Sequence, residues 1–410
     1  MKDAGIKSIK AREILDSRGD PTVGVYLITN QGSFFGAAPS GSSMGKYEAV
    51  ELRDGGKRYH GKGVLKAVEN VNKVIAPKLI GQDPINQKEI DKLLIELDGT
   101  KNKSKLGANA IVPVSIAVAK AGATAKGMPL YQHLAEISGK KGIIPKPCFN
   151  VINGGIHAGN DLDIQEFMIV PELSSFKDCL RAGTEVYHQL RQVIIKKYSD
   201  LAVNVGDEGG FAPPLKSSKE ALDLIEKAVK EAGYEGKIKF ILDCAASQFY
   251  RKGKYQLESK ELTRKSLLDY YSDLIGKYPI LGLEDPFSEE DWEGFEEITK
   301  KFGKKIMVIG DDLLVTNSKK IKEAQEKKAA NAVIIKINQI GTVTEAMEAV
   351  KMAKDFDWKI IVSHRSGETC DNFIADFAVG IEAEFIKSGT VARGERVVKY
   401  NKLLEIEETI

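Results

Sequence analysis

The chain has 410 residues, of which 42% are hydrophobic and 29% charged, as is usual for soluble globular proteins. Its formal net charge is only +2, and the lysines are interspersed with acidic residues, so we expect neither a nucleic acid nor a membrane surface as its partner. No stretch approaches 18 consecutive apolar residues and the N-terminus lacks an apolar signal core, so neither a membrane span nor secretion is expected.

The first third of the chain is predicted to be a small α+β domain. Apolar and polar residues alternate in several places within 6–37, and turn-forming residues interrupt this alternation, which predicts an antiparallel three-stranded meander. Residues 40–45 are so rich in Gly and Ser that they are predicted to be a loop. Helical periodicity then dominates from about residue 48 to residue 134.

A stretch rich in Gly and Pro, residues 139–147, separates this region from the rest of the chain. It predicts an N-terminal domain over 1–138 and a C-terminal domain over 139–410. The four cysteines are widely spaced without a CxxC pair, so we expect reduced cysteines in the core and a cytoplasmic protein.

The C-terminal domain contains short apolar runs that each end in a polar residue able to do chemistry. Such runs, β-branched and without alternation, are typical of strands buried on both faces, and amphipathic helical segments lie between them. Capping boxes that begin at Ser217 and Thr342 predict two of these helices. In a closed barrel the carboxyl ends of parallel strands meet at one rim. The terminal residues of the runs are Asp243, Glu284, Asp311, Lys336, His364 and Lys387.

Three of these terminal residues predict a metal site. Asp243, Glu284 and Asp311 offer hard oxygen ligands, which point to Mg²⁺ rather than Zn²⁺. Taken singly, each carboxylate is more simply explained as an ordinary strand-end turn residue. Three in consecutive units, followed by Lys336 and Lys387, favour the metal site.

The same rim offers a base and an anion site. Lys336 lies near the expected metal and a second lysine, so its ammonium form is expected to be disfavoured and a neutral amine to be available as a base. Taken alone, Lys336 is more simply a surface lysine. Arg365 with Ser366 provides a guanidinium fork and a small donor, which suit a phosphate or a carboxylate.

Two upstream loops add further acid–base groups. His157 lies in a glycine-rich loop just before Gln165 and Glu166, and Glu208 lies in a second loop, predicted to be flexible because it contains no helix former. Each glutamate alone would ordinarily be a solvated loop residue. If Glu166 and Glu208 come close in a partly dry site, one of them must keep its proton and can act as a general acid.

With these residues assembled, the chain resembles the enolase family over almost its whole length. The segment Val-Ser-His-Arg-Ser-Gly-Glu-Thr at residues 362–369 is the most specific part of the match, and residues 150–167 and 204–213 add to it. The resemblance implies a ββαα(βα)₆ α/β barrel that follows a smaller α+β domain. It also implies reversible, Mg²⁺-dependent dehydration of 2-phosphoglycerate to phosphoenolpyruvate in glycolysis and gluconeogenesis, carried out by a homodimer or a higher homo-oligomer.

The resemblance also implies roles for individual residues. Asp243, Glu284 and Asp311 would hold one Mg²⁺, and Ser43 in the loop over the site would help to hold a second that binds with substrate. Lys336 would remove the α-proton, and Glu208 would protonate the leaving hydroxyl. The residues that would support Glu208 or hold the substrate are His157, Gln165, Glu166, His364, Arg365, Ser366 and Lys387. Met44 departs from the family pattern beside Ser43.

Two other functions were weighed against this one. A different acid dehydratase of the same superfamily would be expected to carry a Lys-x-Lys pair on an early barrel strand, and residues 166–171 and 240–243 have none. A non-catalytic binding scaffold would be expected to lack Lys336, Glu208 or part of the carboxylate triad, and all of these residues are present.

Overall fold

The computed structural model describes residues 5–42 and 45–410, and its first unit is a small antiparallel sheet packed against helices. The sheet lies where the alternation of residues 6–37 predicts a meander, with strand order β1-β2-β3. The strands are β1 (Ser8–Leu15), β2 (Pro21–Thr29) and β3 (Gly32–Ala37). Strand β3 passes so close to the helix behind it that a Cβ on Gly36 would lie 2.1 Å from the carbonyl oxygen of Pro113.

The helical part of this unit begins later than the sequence predicts. Residues 48–64 form only a short 3₁₀ turn, Arg58–Gly61, because their backbone groups bond elsewhere; the amide of Ala49, for example, donates to the carbonyl of Gln339 at 2.8 Å. The helices are α1 (Leu65–Asn70), which continues through a π-helical turn (Val71–Ile75) into α2 (Ala76–Leu79), then α3 (Gln87–Asp98), α4 (Ala108–Lys126) and α5 (Leu130–Ser138).

Helix α4 is the central helix of the N-terminal unit. Within the described part of the chain it is the one helix long and apolar enough to cross a membrane, and 83% of its most apolar window is buried inside the protein. It contacts β2 and β3 on one side and α3 and α5 on others. Its apolar character is therefore that of a core helix.

The second unit is a closed barrel of eight strands in the order β10-β11-β12-β13-β14-β4-β5-β6. The barrel strands are β4 (Lys146–Asn153), β5 (Glu166–Pro171), β6 (Ile238–Asp243), β10 (Ile280–Glu284), β11 (Met307–Gly310), β12 (Ala332–Ile335), β13 (Lys359–Ser363) and β14 (Phe385–Lys387). A separate small sheet contains β7 (Tyr250–Arg251), β8 (Lys254–Leu257) and β9 (Lys260–Leu262). The predicted barrel fold is confirmed.

One strand of the barrel runs against the others. Strand β5 pairs antiparallel with both β4 and β6, whereas the other neighbouring pairs are parallel. The connection from β4 to β5 contains no α-helix, and two helices follow β5, so the barrel opens as ββαα rather than with regular βα units. The antiparallel direction places Glu166, the first residue of β5, beside Asp243 at the carboxyl end of β6.

The remaining helices surround the barrel, and both predicted helix starts, with their N-cap hydroxyls, are confirmed. The Ser217 hydroxyl accepts from the amide of Glu220 at 3.3 Å, and the Thr342 hydroxyl accepts from that of Glu345 at 3.1 Å. The helices are α6 (Phe176–Lys197), α7 (Ser218–Glu231), α8 (Arg264–Lys277), α9 (Trp292–Phe302), α10 (Ser318–Lys327), α11 (Ile337–Ile340), α12 (Val343–Lys354), α13 (Phe373–Gly380) and α14 (Gly394–Glu407).

The four cysteines are free thiols, as predicted, but they are not all in the core. Cys148, Cys179 and Cys244 are buried, whereas Cys370 is exposed. Cys148 belongs to the apolar cluster inside the barrel. The expectation of a core position was wrong for Cys370 because it lies outside the regular elements, between β13 and α13.

Candidate active site

A polar cleft lies at the carboxyl rim of the barrel, and it brings together most of the residues that the sequence predicts to be functional. Six acidic and three cationic side chains line it: Glu166, Glu208, Asp243, Asp285, Asp311, Asp312, Lys336, Arg365 and Lys387. His157, Gln165, His364 and Ser366 line it as well. Glu284 is fully buried beneath the cleft, in contact with Lys387. Ser43 lies outside the described residues.

The register of the barrel explains why the carboxylates on one side of the cleft are neighbours. Asp243 is the register partner of both Glu166 and Glu284. The amine of Lys387, at the end of β14, reaches all three carboxylates. Its Nζ lies 2.7 Å from both oxygens of Glu284, 3.3 Å from Asp243 Oδ2 and 3.5 Å from Glu166 Oε2.

Burial and mutual repulsion strongly perturb this group. Burial, together with the charge of Asp243, raises the pKa of Glu284 well above its ordinary value. Burial alone would lower the pKa of Lys387, but the carboxylates of Glu166 and Glu284 raise it far more. Lys387 is therefore an ammonium ion whose charge partly neutralises the cluster.

Asp311 and Lys336 form a second charged group beside the first. The Lys336 amine donates to Asp311 Oδ2, and Gln339 Nε2 donates to Asp311 Oδ1 at 2.9 Å. Burial would raise the pKa of Asp311, but the charges of Lys336 and Lys387 lower it to about 2. Burial would lower the pKa of Lys336, but Asp311 raises it, which is opposite to the direction expected from the sequence.

The donors of the cleft fit a hard divalent cation. The six carboxylates that line it outnumber the three cationic side chains, so its negative charge is only partly compensated. The carboxylates of Asp285, Asp311 and Asp312 offer oxygens within 4.8 Å of one another. Burial and the charge of Asp311 raise the pKa of Asp312 to about 8. A cation that these oxygens bind would offset the repulsion.

The other side of the cleft contains two glutamates and two histidines. His157 Nδ1 lies 3.6 Å from Glu208 Oε1 and 3.8 Å from Glu166 Oε1. Burial and the charge of Glu208 raise the pKa of Glu166 well above its ordinary value. Burial would raise the pKa of Glu208 too, but His364 and His157 lower it. The carboxylates of Glu166 and Glu208 offer oxygens within 4.8 Å of each other, as the predicted acid requires. In this arrangement Glu166 retains its proton more strongly than Glu208 does.

Glu208 lies on a loop, as predicted, but the loop is held inside the protein. Its side chain is buried, and Asn150 Nδ2 donates to its Oε2 at 3.0 Å. His364 Nε2 lies 3.3 Å from the same oxygen. Burial lowers the pKa of His364 to about 4, so its imidazole is neutral at neutral pH.

Arg365, the predicted anion ligand, is held by Glu48, a residue that no pattern in the sequence singles out. Glu48 accepts two hydrogen bonds from the Arg365 guanidinium, at 2.9 and 3.1 Å, and both side chains are buried. Gln339 Nε2 lies 3.3 Å from Glu48 Oε1 and so connects Glu48 to Asp311. The sequence predicts a helix that begins near residue 48, and a glutamate at a helix start is an ordinary surface residue. This wrong prediction gave no indication that Glu48 is buried.

Residues 40–42, which begin the predicted loop, lie beside Arg365 on this side of the cleft. Ser42 Oγ donates to Ser366 Oγ at 2.6 Å, and Arg18 NH1 donates to Ser42 at 2.9 Å. Ser40 pairs with Gly367 in an isolated β-bridge. Ser40 and Ser42 thus contact the segment that carries Arg365, which is where the family resemblance implies a loop over the site.

Comparison with known families agrees with this geometry. The family model described as the enolase C-terminal TIM barrel domain matches residues 141–410, and the one described as the enolase N-terminal domain matches residues 6–134. The chain belongs to the enolase family. Enolases are lyases of the phosphopyruvate hydratase type, and the family membership extends across both units of this chain.

Individual enolases are similar over nearly the whole chain. The enolase of Methanocaldococcus jannaschii is 55% identical over 408 residues, which cover 99% of this chain and 95% of the relative. The enolase of Pyrococcus furiosus is 55% identical over 410 residues, with the same coverage. The enolase of Solanum lycopersicum is 52% identical over 425 residues, covering 99% and 96%. Identity at this level across full length supports glycolytic enolase function.

Proposed function

We propose that this chain catalyses the reversible, Mg²⁺-dependent dehydration of 2-phosphoglycerate to phosphoenolpyruvate, with the residues of the rim cleft in the roles given below. The observation that supports the roles best is that a half-buried lysine, Lys336, and a buried pair of glutamates, Glu166 and Glu208, occur in one cleft with an excess of carboxylates. Removal of an α-proton and departure of a hydroxyl need one base, one acid and a means to offset the enolate charge.

The cation site would be formed by three carboxylates of the regular strands. Asp243, Glu284 and Asp311 would hold one Mg²⁺, and Ser43 would contribute to a second that arrives with substrate. Bound Mg²⁺ supplies positive charge that stabilises the carboxylate as it becomes an enolate. A lysine base combined with Mg²⁺ is the known pattern of enolase-superfamily sites.

Lys336 would be the base at the α-carbon. Its side chain is only 12% exposed and contacts Asp311, whose charge favours the ammonium form. Compensating the charge of Asp311 would lower the pKa of Lys336 and so make its neutral amine available as a base. This dependence links proton abstraction to occupation of the cation site.

Glu208 would be the acid that protonates the leaving hydroxyl. It shares this side of the cleft with His157 and Glu166. His157 Nδ1 lies 3.6 Å from Glu208 Oε1 and 3.8 Å from Glu166 Oε1. Glu166 holds a proton more strongly than Glu208 in the structure, so Glu208 would carry the proton only once the negative charge of bound substrate raises its pKa. Arg365, Ser366, Gln165, His364 and Lys387 would hold the phosphate and the carboxylate of the substrate.

We further propose a cytoplasmic homodimer or higher homo-oligomer. Its support is the family membership and a set of large apolar side chains that are exposed in the single chain, including Leu15, Ile28 and Leu201. Sedimentation of the purified protein would test the oligomeric state. A monomer at micromolar concentration would contradict this part of the proposal.

The function is tested by following phosphoenolpyruvate formation from 2-phosphoglycerate by its ultraviolet absorbance, with Mg²⁺, after chelation, and after Mg²⁺ is restored. Activity should disappear with the chelator and return with the metal. Acid sugars serve as the test of the alternative dehydratase, and no product is expected from them. A correctly folded protein that forms no phosphoenolpyruvate would contradict the proposal and favour the non-catalytic scaffold.

The role of Ser43 has a separate test. Ser43→Ala should leave binding of the first Mg²⁺, measured by calorimetry without substrate, unchanged and should reduce turnover. An unchanged turnover number would show that this loop takes no part in the reaction.

A further inference from the structure

Arg396 is completely buried, and its guanidinium donates to two separate segments of the cleft wall. It lies in the first turn of α14. Its NH1 donates to the carbonyl of Arg365 at 2.6 Å, and its NH2 donates to the carbonyl of Asp207 at 3.0 Å. A buried guanidinium is costly unless its donors are satisfied. These carbonyls therefore both stabilise Arg396 and fix the segments that carry Glu208 and Arg365.

A further contact of Arg396 decides the protonation of a histidine. Its NH1 also lies 2.7 Å from Nδ1 of His364. A guanidinium offers donors only, so Nδ1 must accept with its lone pair and cannot carry a hydrogen. Burial lowers the pKa of His364 to about 4, so the ring is neutral and has one hydrogen. That hydrogen is then on Nε2.

The Nε2 atom of His364 faces the proposed acid. It lies 3.3 Å from Glu208 Oε2, the oxygen that also accepts from Asn150. The two atoms are in contact but are not aligned as a hydrogen bond in the structure. A ring hydrogen on Nε2 nevertheless attracts this oxygen, whereas a lone pair there would repel it. The other oxygen, Oε1, lies 3.6 Å from His157 Nδ1. The orientation of Glu208 thus depends on which tautomer His364 adopts.

We propose that Arg396 is a positioning residue that holds His364 as the Nε2–H tautomer, so that the Nε2 hydrogen faces Glu208 and orients it for proton transfer. This rests on the proposed function only in the role given to Glu208. The tautomer itself follows from the contacts of Arg396 and His364. His364 is also among the residues proposed to hold the substrate, so the positioning role is tested separately from binding by comparing kcat rather than KM.

The tautomer can be observed directly without turnover. Nitrogen-15 NMR of the whole protein, labelled at its five histidines, should show one ring with a protonated Nε2 and an unprotonated Nδ1 at neutral pH, and His364→Gln should remove that signal. Arg396→Met should convert it to a mixture of tautomers. If the signal that His364→Gln removes belongs to a ring with a protonated Nδ1, or to an imidazolium, the proposal is overturned.

Two variants at His364 test the consequence for catalysis, and they hold even if Arg396→Met fails to fold. In His364→Gln, the amide oxygen can accept from Arg396 and the amide nitrogen can donate to Glu208, so kcat should stay within about tenfold of wild type. His364→Leu provides neither group, and kcat should fall by a further factor of about 10 to 100. Circular dichroism checks that both are folded.

The matched control is the exposed His188, where the Gln and Leu variants should have equal kcat values near that of wild type. Equal kcat values for the Gln and Leu variants at His364 would overturn the proposed positioning role. A wild-type protein that forms no phosphoenolpyruvate would instead overturn the proposed function, since the NMR result does not depend on activity.

Discussion

The two sides of the cleft position their catalytic groups in different ways. Asp311 and Lys336 directly follow neighbouring barrel strands, β11 and β12, so the backbone register of the barrel places them. Glu208 and His157 lie on connections outside the barrel, and Glu208 is held by a side chain from a distant part of the chain, that of Asn150. The comparison teaches that the base side requires little more than a closed barrel. The acid side requires specific long-range hydrogen bonds.

The electrostatics of the two sides differ as well. On the base side, fixed charges dominate, because Asp311 raises the pKa of Lys336 against the effect of burial. On the acid side, burial dominates for the histidines, and His364 remains neutral with a pKa of about 4. Variants that remove one group from each side should therefore have effects that can be told apart.

The largest effect is expected for Lys336→Ala. Without a base at the α-carbon, phosphoenolpyruvate formation should fall by at least about 10²–10⁴-fold, the usual contribution of a general base. Exchange of the α-hydrogen of 2-phosphoglycerate with deuterated water should stop too, as measured by NMR. Calorimetric binding of Mg²⁺ and substrate provides the control. Exchange that persists at the wild-type rate would show that the base is another residue.

Glu208→Gln should abolish elimination to a similar extent or slightly less, again by about 10²–10⁴-fold. The α-hydrogen exchange should nevertheless persist, because the enolate can still form at Lys336 and take a proton back. This separates the two sides of the cleft by the step that each controls. Loss of exchange in Glu208→Gln together with its retention in Lys336→Ala would reverse the two roles.

Asp311→Asn tests whether the base side of the cleft binds Mg²⁺. Removing one carboxylate charge should raise the Mg²⁺ concentration needed for half-maximal activity by at least about tenfold, since affinity follows the number of charged ligands. The protein should remain folded. Glu290→Gln is the control, because Glu290 is an exposed acid paired with Lys46. A wild-type dependence on Mg²⁺ in Asp311→Asn would exclude Asp311 as a ligand.

The smallest effect on turnover is expected for Glu48→Gln, whose main consequence concerns stability. The variant leaves Arg365 buried without its carboxylate, so the free energy of unfolding in urea should fall by about 3 kcal/mol. Lys46→Gln breaks an exposed pair with Glu290 and should leave this free energy nearly unchanged. Equal stabilities for the two variants would show that the contact between Glu48 and Arg365 does not hold the anion site together.

The sequence by itself determined the barrel and the residues at its strand ends. Buried strands leave a local pattern of apolar runs, and closure of the barrel then brings Asp243, Lys336 and Lys387 to one rim. The irregular ββαα opening of the barrel, which includes β5, was predicted only from the family resemblance. The residues of β5 alone predict a buried strand but not its direction.

Only the tertiary structure decided which groups touch. Glu48 meets Arg365 across 317 positions of the chain, and Arg396 meets His364 across 32, and no periodic pattern records either contact. The pKa of Lys336 differs from the expected direction for the same reason, because its sign depends on the nearest charge. Local patterns report how a segment buries its own side chains, whereas ion pairs and tautomers depend on atoms that only the folded chain brings within a few ångströms.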